Sequence, residues 1–279
     1  MRVQPSIARL FGVALFSVAW LCNPAWAAPV LPAFADATFT GQAPDNPYFP
    51  MTNSATSLFS GSFFDDDGEL ATESFELTNI GLGRVLLGVQ TFTQQDLAYE
   101  DGLLVEATSD YYAQDTDGNV WYFGEDVVNY VYDDDDELIE TNNSSAWLAG
   151  ENGAEPGYIM PVDLTVGFEY FQESAPNDDA IDQAMIWAVN QTVVLDIGTF
   201  DNVLQIFETN PLEPDSREFK YYAPGVGLIL VEEDLDEDFA NPELSVALQT
   251  AAVPEPDTLP LIGLGVLCAY WTRRRANRR

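Results

Sequence analysis

The stretch LLVEATSDYYAQDTDGNVWYFGEDVVNYVY, residues 103–132, decides the fold. Its halves, Leu103 to Gln114 and Asn119 to Tyr132, are rich in Val, Tyr, Phe, Trp and Thr, which suit a pleated, half-buried surface. Between them stands Asp115-Thr116-Asp117-Gly118, where Gly can supply a positive φ. The segment predicts a β-hairpin.

The same pattern recurs outward from it. Arg84 to Thr93 (RVLLGVQTFT) reads as one apolar, partly alternating run, and Asp133 to Asp136 as an acidic turn before Glu137 to Thr141. Thr192 to Asp196 and Asn202 to Glu208 predict a second hairpin around Gly198. Arg217 to Tyr222 and Leu228 to Glu232 predict a third, around Pro224-Gly225-Val226-Gly227. Ile181, Ala184, Met185 and Ala188 fit helical spacing, whereas Ile181, Met185, Trp187 and Val189 can share one face of a strand. Continuity with Thr192–Leu195 favours the strand. Sequential hairpins without a fixed repeat predict a mainly β fold: an antiparallel meander forming a single sandwich or barrel-like ectodomain.

The two ends read differently. Arg2 and Arg9 precede an apolar run from Leu10 to Leu21, and Ala25-Trp26-Ala27 is a small-x-small cleavage signature, with Ala25 and Ala27 flanking Trp26. That is a secretory signal peptide over residues 1–27, too short for the roughly twenty apolar residues of a membrane anchor. It implies an export translocase and a signal peptidase as partners. At the other end, Val253-Pro254-Glu255-Pro256 precedes an apolar segment, Leu259 to Trp271, and then Arg273, Arg274, Arg275, Arg278 and Arg279. The segment is marginal for spanning a bilayer, and the arginines would hold its end on the cytoplasmic side. The domain plan is therefore signal peptide 1–27, ectodomain 28–252 and tail 253–279, with a signal helix and a short membrane helix at the ends.

Charge is concentrated in the middle. The ectodomain carries 44 acidic residues against Arg84, Arg217 and Lys220, a net charge of about −41. Such a field repels nucleic acid and anionic lipid and attracts cations, although it also suits plain solubility. There is no histidine, and both cysteines, Cys22 and Cys268, lie in the terminal segments. A disulfide, a Ser-His-Asp triad, a Cys-His pair and an ordinary zinc site are all excluded from the ectodomain.

Carboxylates are what remain. Two of them, suitably spaced, can hydrolyse a glycosidic bond, but among 44 acids some pair is guaranteed, so no catalytic residue is assigned. Lys220, the one ectodomain lysine, reads as a surface or strand-pairing charge. Candidate calcium ligands stand at two turns, Asp115, Asp117 and Asn119, and Asp65 and Asp67 beside Gly68. Neither matches an EF-hand loop, and Asp-x-Asp-Gly is also a good hairpin turn. The hairpin Tyr111–Asp126 could stack on sugar rings; alternatively Trp121 and Phe123 point into the core while Tyr122 and Gly124 face out.

Order, spacing and terminal position make the tail resemble the PEP-CTERM sorting signal, a motif also given an ice-binding-protein C-terminal label, which says nothing of ice affinity. Asp257 and Pro260 depart from the small or apolar residues usual there. The resemblance implies that an exosortase reads the Pro-Glu-Pro motif, in a Gram-negative, exopolysaccharide-producing host. A second resemblance runs through Asp45-Asn46-Pro47-Tyr48-Phe49-Pro50, Tyr112-Ala113-Gln114-Asp115, Gly118-Asn119-Val120-Trp121-Tyr122-Phe123-Gly124-Glu125-Asp126 and Tyr221-Tyr222-Ala223-Pro224-Gly225. This order is similar to that of a family of secreted, uncharacterised bacterial β proteins, and implies no activity.

The expected function is that of an exported, envelope-sorted protein, non-enzymatic and associated with exopolysaccharide or biofilm matrix. It would contact the membrane through its tail before processing. The alternatives are a carboxylate-based glycan hydrolase and a β-barrel carrier of an apolar ligand.

Overall fold

A computed structural model describes residues 28–250, except 53, 55, 65–67 and 134. The signal segment with Ala25 and Ala27, the tail from Val253 with its arginines and membrane helix, and the candidate ligands Asp65 and Asp67 lie outside the described residues.

Seventeen strands follow one another among the described residues: β1 (Asp45–Asn46), β2 (Phe49–Pro50), β3 (Thr56–Phe64), β4 (Leu70–Leu86), β5 (Val89–Glu100), β6 (Leu103–Gln114), β7 (Val120–Tyr132), β8 (Leu138–Asn142) and β9 (Trp147–Leu148) come first. Then come β10 (Glu155–Met160), β11 (Glu169–Phe171), β12 (Glu173–Ser174), β13 (Gln183–Leu195), β14 (Gly198–Asn210), β15 (Glu213–Ala223), β16 (Gly227–Glu233) and β17 (Leu244–Thr250). One 3-10 turn, Phe34–Asp36, is the helical element among the described residues.

Two meanders make the sheet. β13 to β17 pair in order, β17 then pairs with β3, and β3 to β7 continue in order to β10. The short segment 169–174 joins the two ends: β11 pairs with β13, and β12 pairs with β10. The result is a nearly closed antiparallel barrel, the barrel form of the expected fold. Closure matters physically, because it removes the unpaired edges at which sheets aggregate.

The hairpin 103–132 forms as expected, with Gln114 paired to Val120 across the turn. The helix-or-strand ambiguity at Ile181 resolves to strand β13, which pairs with β14 from Gln183↔Thr209 to Leu195↔Gly198. The second and third hairpins also form. One expectation is corrected: Arg84–Thr93 is not a single strand. It turns at Leu87 and Gly88, both at positive φ (49° and 82°), and Leu86 pairs with Val89. That geometry is the tight turn that fits the twist of a hairpin.

The second correction concerns β7, whose two faces are both covered. Trp121 and Phe123 pack outside the barrel wall against Phe34 and Phe39, at centroid distances of 5.4–6.2 Å. Tyr122, expected to face solvent, is 5% exposed and points into the barrel. Covering by the N-terminal segment explains the unbroken apolar run VWYF, since a strand buried on both sides has no polar face to alternate. Gly124 follows at φ 117°, where a Cβ would lie 2.2 Å from the Trp147 carbonyl oxygen. Glycine is required there because the backbone of β9, paired alongside β7, occupies the space a Cβ would need.

Candidate functional site

Side chains directly opposite in an antiparallel sheet share a face, so register alone predicts what lines the barrel. From Glu208 on β14 the same face runs through Glu218 on β15. On the other meander it runs from Leu77 to Asp96, and from Gln94 to Asp110. These acidic positions converge on a cavity of about 330 Å³ inside the barrel.

Among the described residues, eight carboxyl groups line that cavity, with Lys220 as its one cation. Lys220, expected at the surface or as a strand-pairing charge, is the latter: it pairs across β14 and β15, but on the face that lines this lumen. Its Nζ donates to Glu208 Oε2 at 2.7 Å and lies 3.0 Å from Glu218 Oε1. Burial alone would lower its pKa, but Glu208 and Glu218 together hold it well above the usual lysine value. It remains an ammonium. Glu208 also accepts from Gln172 Nε2 at 2.9 Å, which leaves this corner well satisfied.

The opposite corner is different. Tyr122 Oη lies 2.6 Å from Asp110 Oδ1 and 2.9 Å from Glu125 Oε2. A phenol has one proton to donate, so its oxygen must accept from one carboxyl while donating to the other. One of the two acids is therefore protonated in this arrangement. Desolvation works in the same direction. It pushes Asp110 up to about 7 against the hydrogen bond from Tyr122, and raises Glu125 well above the carboxylate range with help from Glu173 and Asp110. Glu173 is raised by burial and by Asp182, and the Trp147 indole N–H approaches it without closing to a full hydrogen bond.

Asp96 stands beside this group. Burial, then Asp110 and Glu106, raise it to about 8, and Lys220 works weakly against them. Its Oδ1 is shut off from solvent, and no donor among the described residues reaches it. Buried polar atoms without partners are rare and costly, which marks this oxygen out.

The conspicuous sequence motifs build the wall around this lumen. Gln114 Oε1 accepts from the backbone N–H groups of Asp45 (2.8 Å) and Asn46 (3.0 Å), while its Nε2 donates to Asp45 Oδ1 at 2.7 Å. Asn46 Nδ2 donates to the Gly118 carbonyl, and Gly225 N–H donates to the Pro47 carbonyl. The segment 45–50 is thereby stitched to two hairpin turns, and Phe49 is set edge-on to Tyr112 at 4.9 Å, in the lumen wall.

The candidate calcium residues at the first turn do a related job. Asp115 Oδ1 accepts from the backbone N–H groups of Asp117 (3.0 Å) and Asn119 (2.9 Å). Its Oδ2 accepts from Asn119 Nδ2 and Trp121 Nε1, both at 2.8 Å. Asn119 Oδ1 in turn accepts from the Val162 N–H, and Asp117 is exposed. With four N–H donors on Asp115, this geometry supports the turn reading over a cation held at Asp115, Asp117 and Asn119. Among the described residues, no three acidic side chains are grouped to hold a metal ion.

The terminal motif marks an exported, envelope-sorted protein, and the fold of its described residues is a nearly closed antiparallel barrel. Residues 252–275 match the PEP-CTERM protein-sorting motif, which implies exosortase-dependent sorting. No curated protein matches the chain. Two solved structures are similar at low identity. One is a candidate exported protein with a YmcC-like fold from Bacteroides fragilis, 13% identical, covering 76% of this chain and 98% of its own, with a TM-score of 0.36. The other is a candidate lipoprotein from Parabacteroides distasonis, 14% identical, covering 77% of this chain and 98% of its own, with a TM-score of 0.35.

Proposed function

We propose that the barrel acts without catalysis at the cell envelope, in association with exopolysaccharide or biofilm matrix. The sorting tail carries this reading: residues 252–275 match a signal for surface sorting. Before processing, the apolar segment Leu259–Trp271 and the arginines beyond it hold the protein transiently in the membrane. The alternative of a carboxylate-based glycan hydrolase draws support from the perturbed acids in the lumen, since such shifts cluster at functional sites. A carrier of an apolar ligand is disfavoured, because eight carboxyl groups line the cavity it would use.

Incubating the mature protein with the host's own exopolysaccharide separates these readings. The protein should co-sediment with the polymer and release no new reducing ends. Release of reducing ends, abolished by Asp110→Asn, would replace the matrix reading with the hydrolase. Failure to co-sediment, with no release either, would refute both.

A further inference from the structure

We propose that the barrel lumen is a binding site for a small organic cation bearing a primary ammonium group, with Asp96 as the carboxylate that meets the charge. The geometry comes first. Among the described residues, eight carboxyl groups line a cavity whose one cation, Lys220, is already engaged by Glu208 and Glu218. Asp96, from β5, lines this space with a carboxyl that no donor among the described residues reaches, its Oδ1 being closed off behind the lumen surface. An ammonium has three donors and no acceptor, which is the complement such an unpartnered carboxyl lacks.

The dispersal of the acids selects the class of cation. Calcium needs six to eight oxygens converging at about 2.3–2.6 Å. Among the described residues no three acidic groups converge in that way. Carboxyls spread around a cavity of about 330 Å³ suit a molecule whose charge is carried on an extended or ring-shaped frame. Tyr112 and Tyr222 present aromatic surface in the same wall, and such rings attract ammonium groups. A second cavity of about 130 Å³ shares Asp182, Glu208 and Glu218 with the lumen and extends to exposed Glu213. The acidic surface thus continues outward from the site, and such a field draws cations toward it.

Binding has a definite proton balance. An ammonium arriving beside a protonated carboxyl forms an ion pair and displaces the carboxyl's proton to solvent. Asp96, raised to about 8, and Asp110, raised to about 7, are partly protonated near neutrality, so proton release accompanies binding there.

Two sources supply this chemistry, polyamines and amino sugars, and the test separates them. The exported protein is titrated calorimetrically at pH 7.5 with putrescine and with glucosamine. Their neutral counterparts, 1,4-butanediol and glucose, and calcium chloride at matched ionic strength serve as comparisons. At least one amine should bind saturably, at least tenfold more tightly than its neutral counterpart, and release protons in proportion to its binding. Asp96→Asn should weaken that amine at least tenfold, while Asp117→Asn, at the exposed turn, should not. A putrescine preference assigns the polyamine source and a glucosamine preference the amino sugar, both within the proposal. Amines no better than their neutral counterparts would overturn it, and that comparison needs only the wild-type chain. Calcium binding as tightly as the better amine would also overturn it, as would unchanged amine affinity in a folded Asp96→Asn protein. The proposal does not rest on the tail, so its failure would leave sorting untouched.

Discussion

Asp115→Ala should lower the melting temperature by roughly 10–20 °C. The carboxylate accepts four N–H donors, and three of them belong to the buried residues Asn119 and Trp121. Each buried donor left without a partner costs about 1–3 kcal/mol, so the loss is on the order of 5 kcal/mol. A domain of this size shifts its midpoint by about 2–4 °C per kcal/mol. Asp117→Ala is the matched control: its side chain is exposed, and such substitutions usually stay within about 0.5 kcal/mol. Thermal melts followed by circular dichroism would show the contrast. Equal midpoints for the two variants would mean that the Asp115 carboxylate does not hold the turn.

Raising the pH should destabilise the barrel, the reverse of ordinary acid denaturation. Asp96 and Glu233 are each raised to about 8, first by burial and then by neighbouring acids. Groups facing Asp96 are Asp110 and Glu106 on β6 and Lys220 across the lumen on β15. Below about pH 4 such a carboxyl is protonated in both folded and unfolded chains, and no penalty arises. Between pH 4 and 8 the folded state keeps a proton that the unfolded chain has released. Stability then falls by about 1.4 kcal/mol per pH unit for each such group, and levels off above the folded pKa. Asp96→Asn should therefore melt close to wild type at pH 4 and on the order of 10 °C higher at pH 8. A wild-type midpoint that rises from pH 5 to pH 8 would contradict this sign. A buried acid that costs stability in this way is what a ligand site would retain.

The barrel was legible in the sequence because its hairpins carry turn residues of distinctive chemistry. Asp115–Gly118 and Pro224–Gly227 sit between runs that a pleated sheet accommodates. The turn at Leu87 and Gly88 was not legible, because leucine at φ 49° is not a turn signal, and the surrounding apolar run reads as one strand. The lumen was hidden for a different reason. A strand with a polar lumen face alternates just as a strand with a solvent face does, so Asp96, Asp110 and Lys220 look like surface residues until the sheet closes. What could have pointed to Lys220 was its position between Glu218 and Tyr222, alternate residues that share its face of β15 and line the lumen with it. Tyr122 was misread because nothing local shows that residues 34–39 fold back over the other side of β7.

Intact-mass analysis of the protein recovered from its native host tests most directly whether the two ends are processing devices around a self-sufficient barrel. With the exosortase active, the mature chain should begin at Ala28 and lack Arg273 to Arg279. With the exosortase disabled, the tail should remain and the protein should fractionate with membranes. Mature protein that still ends at Arg279 while the exosortase is active would contradict the account.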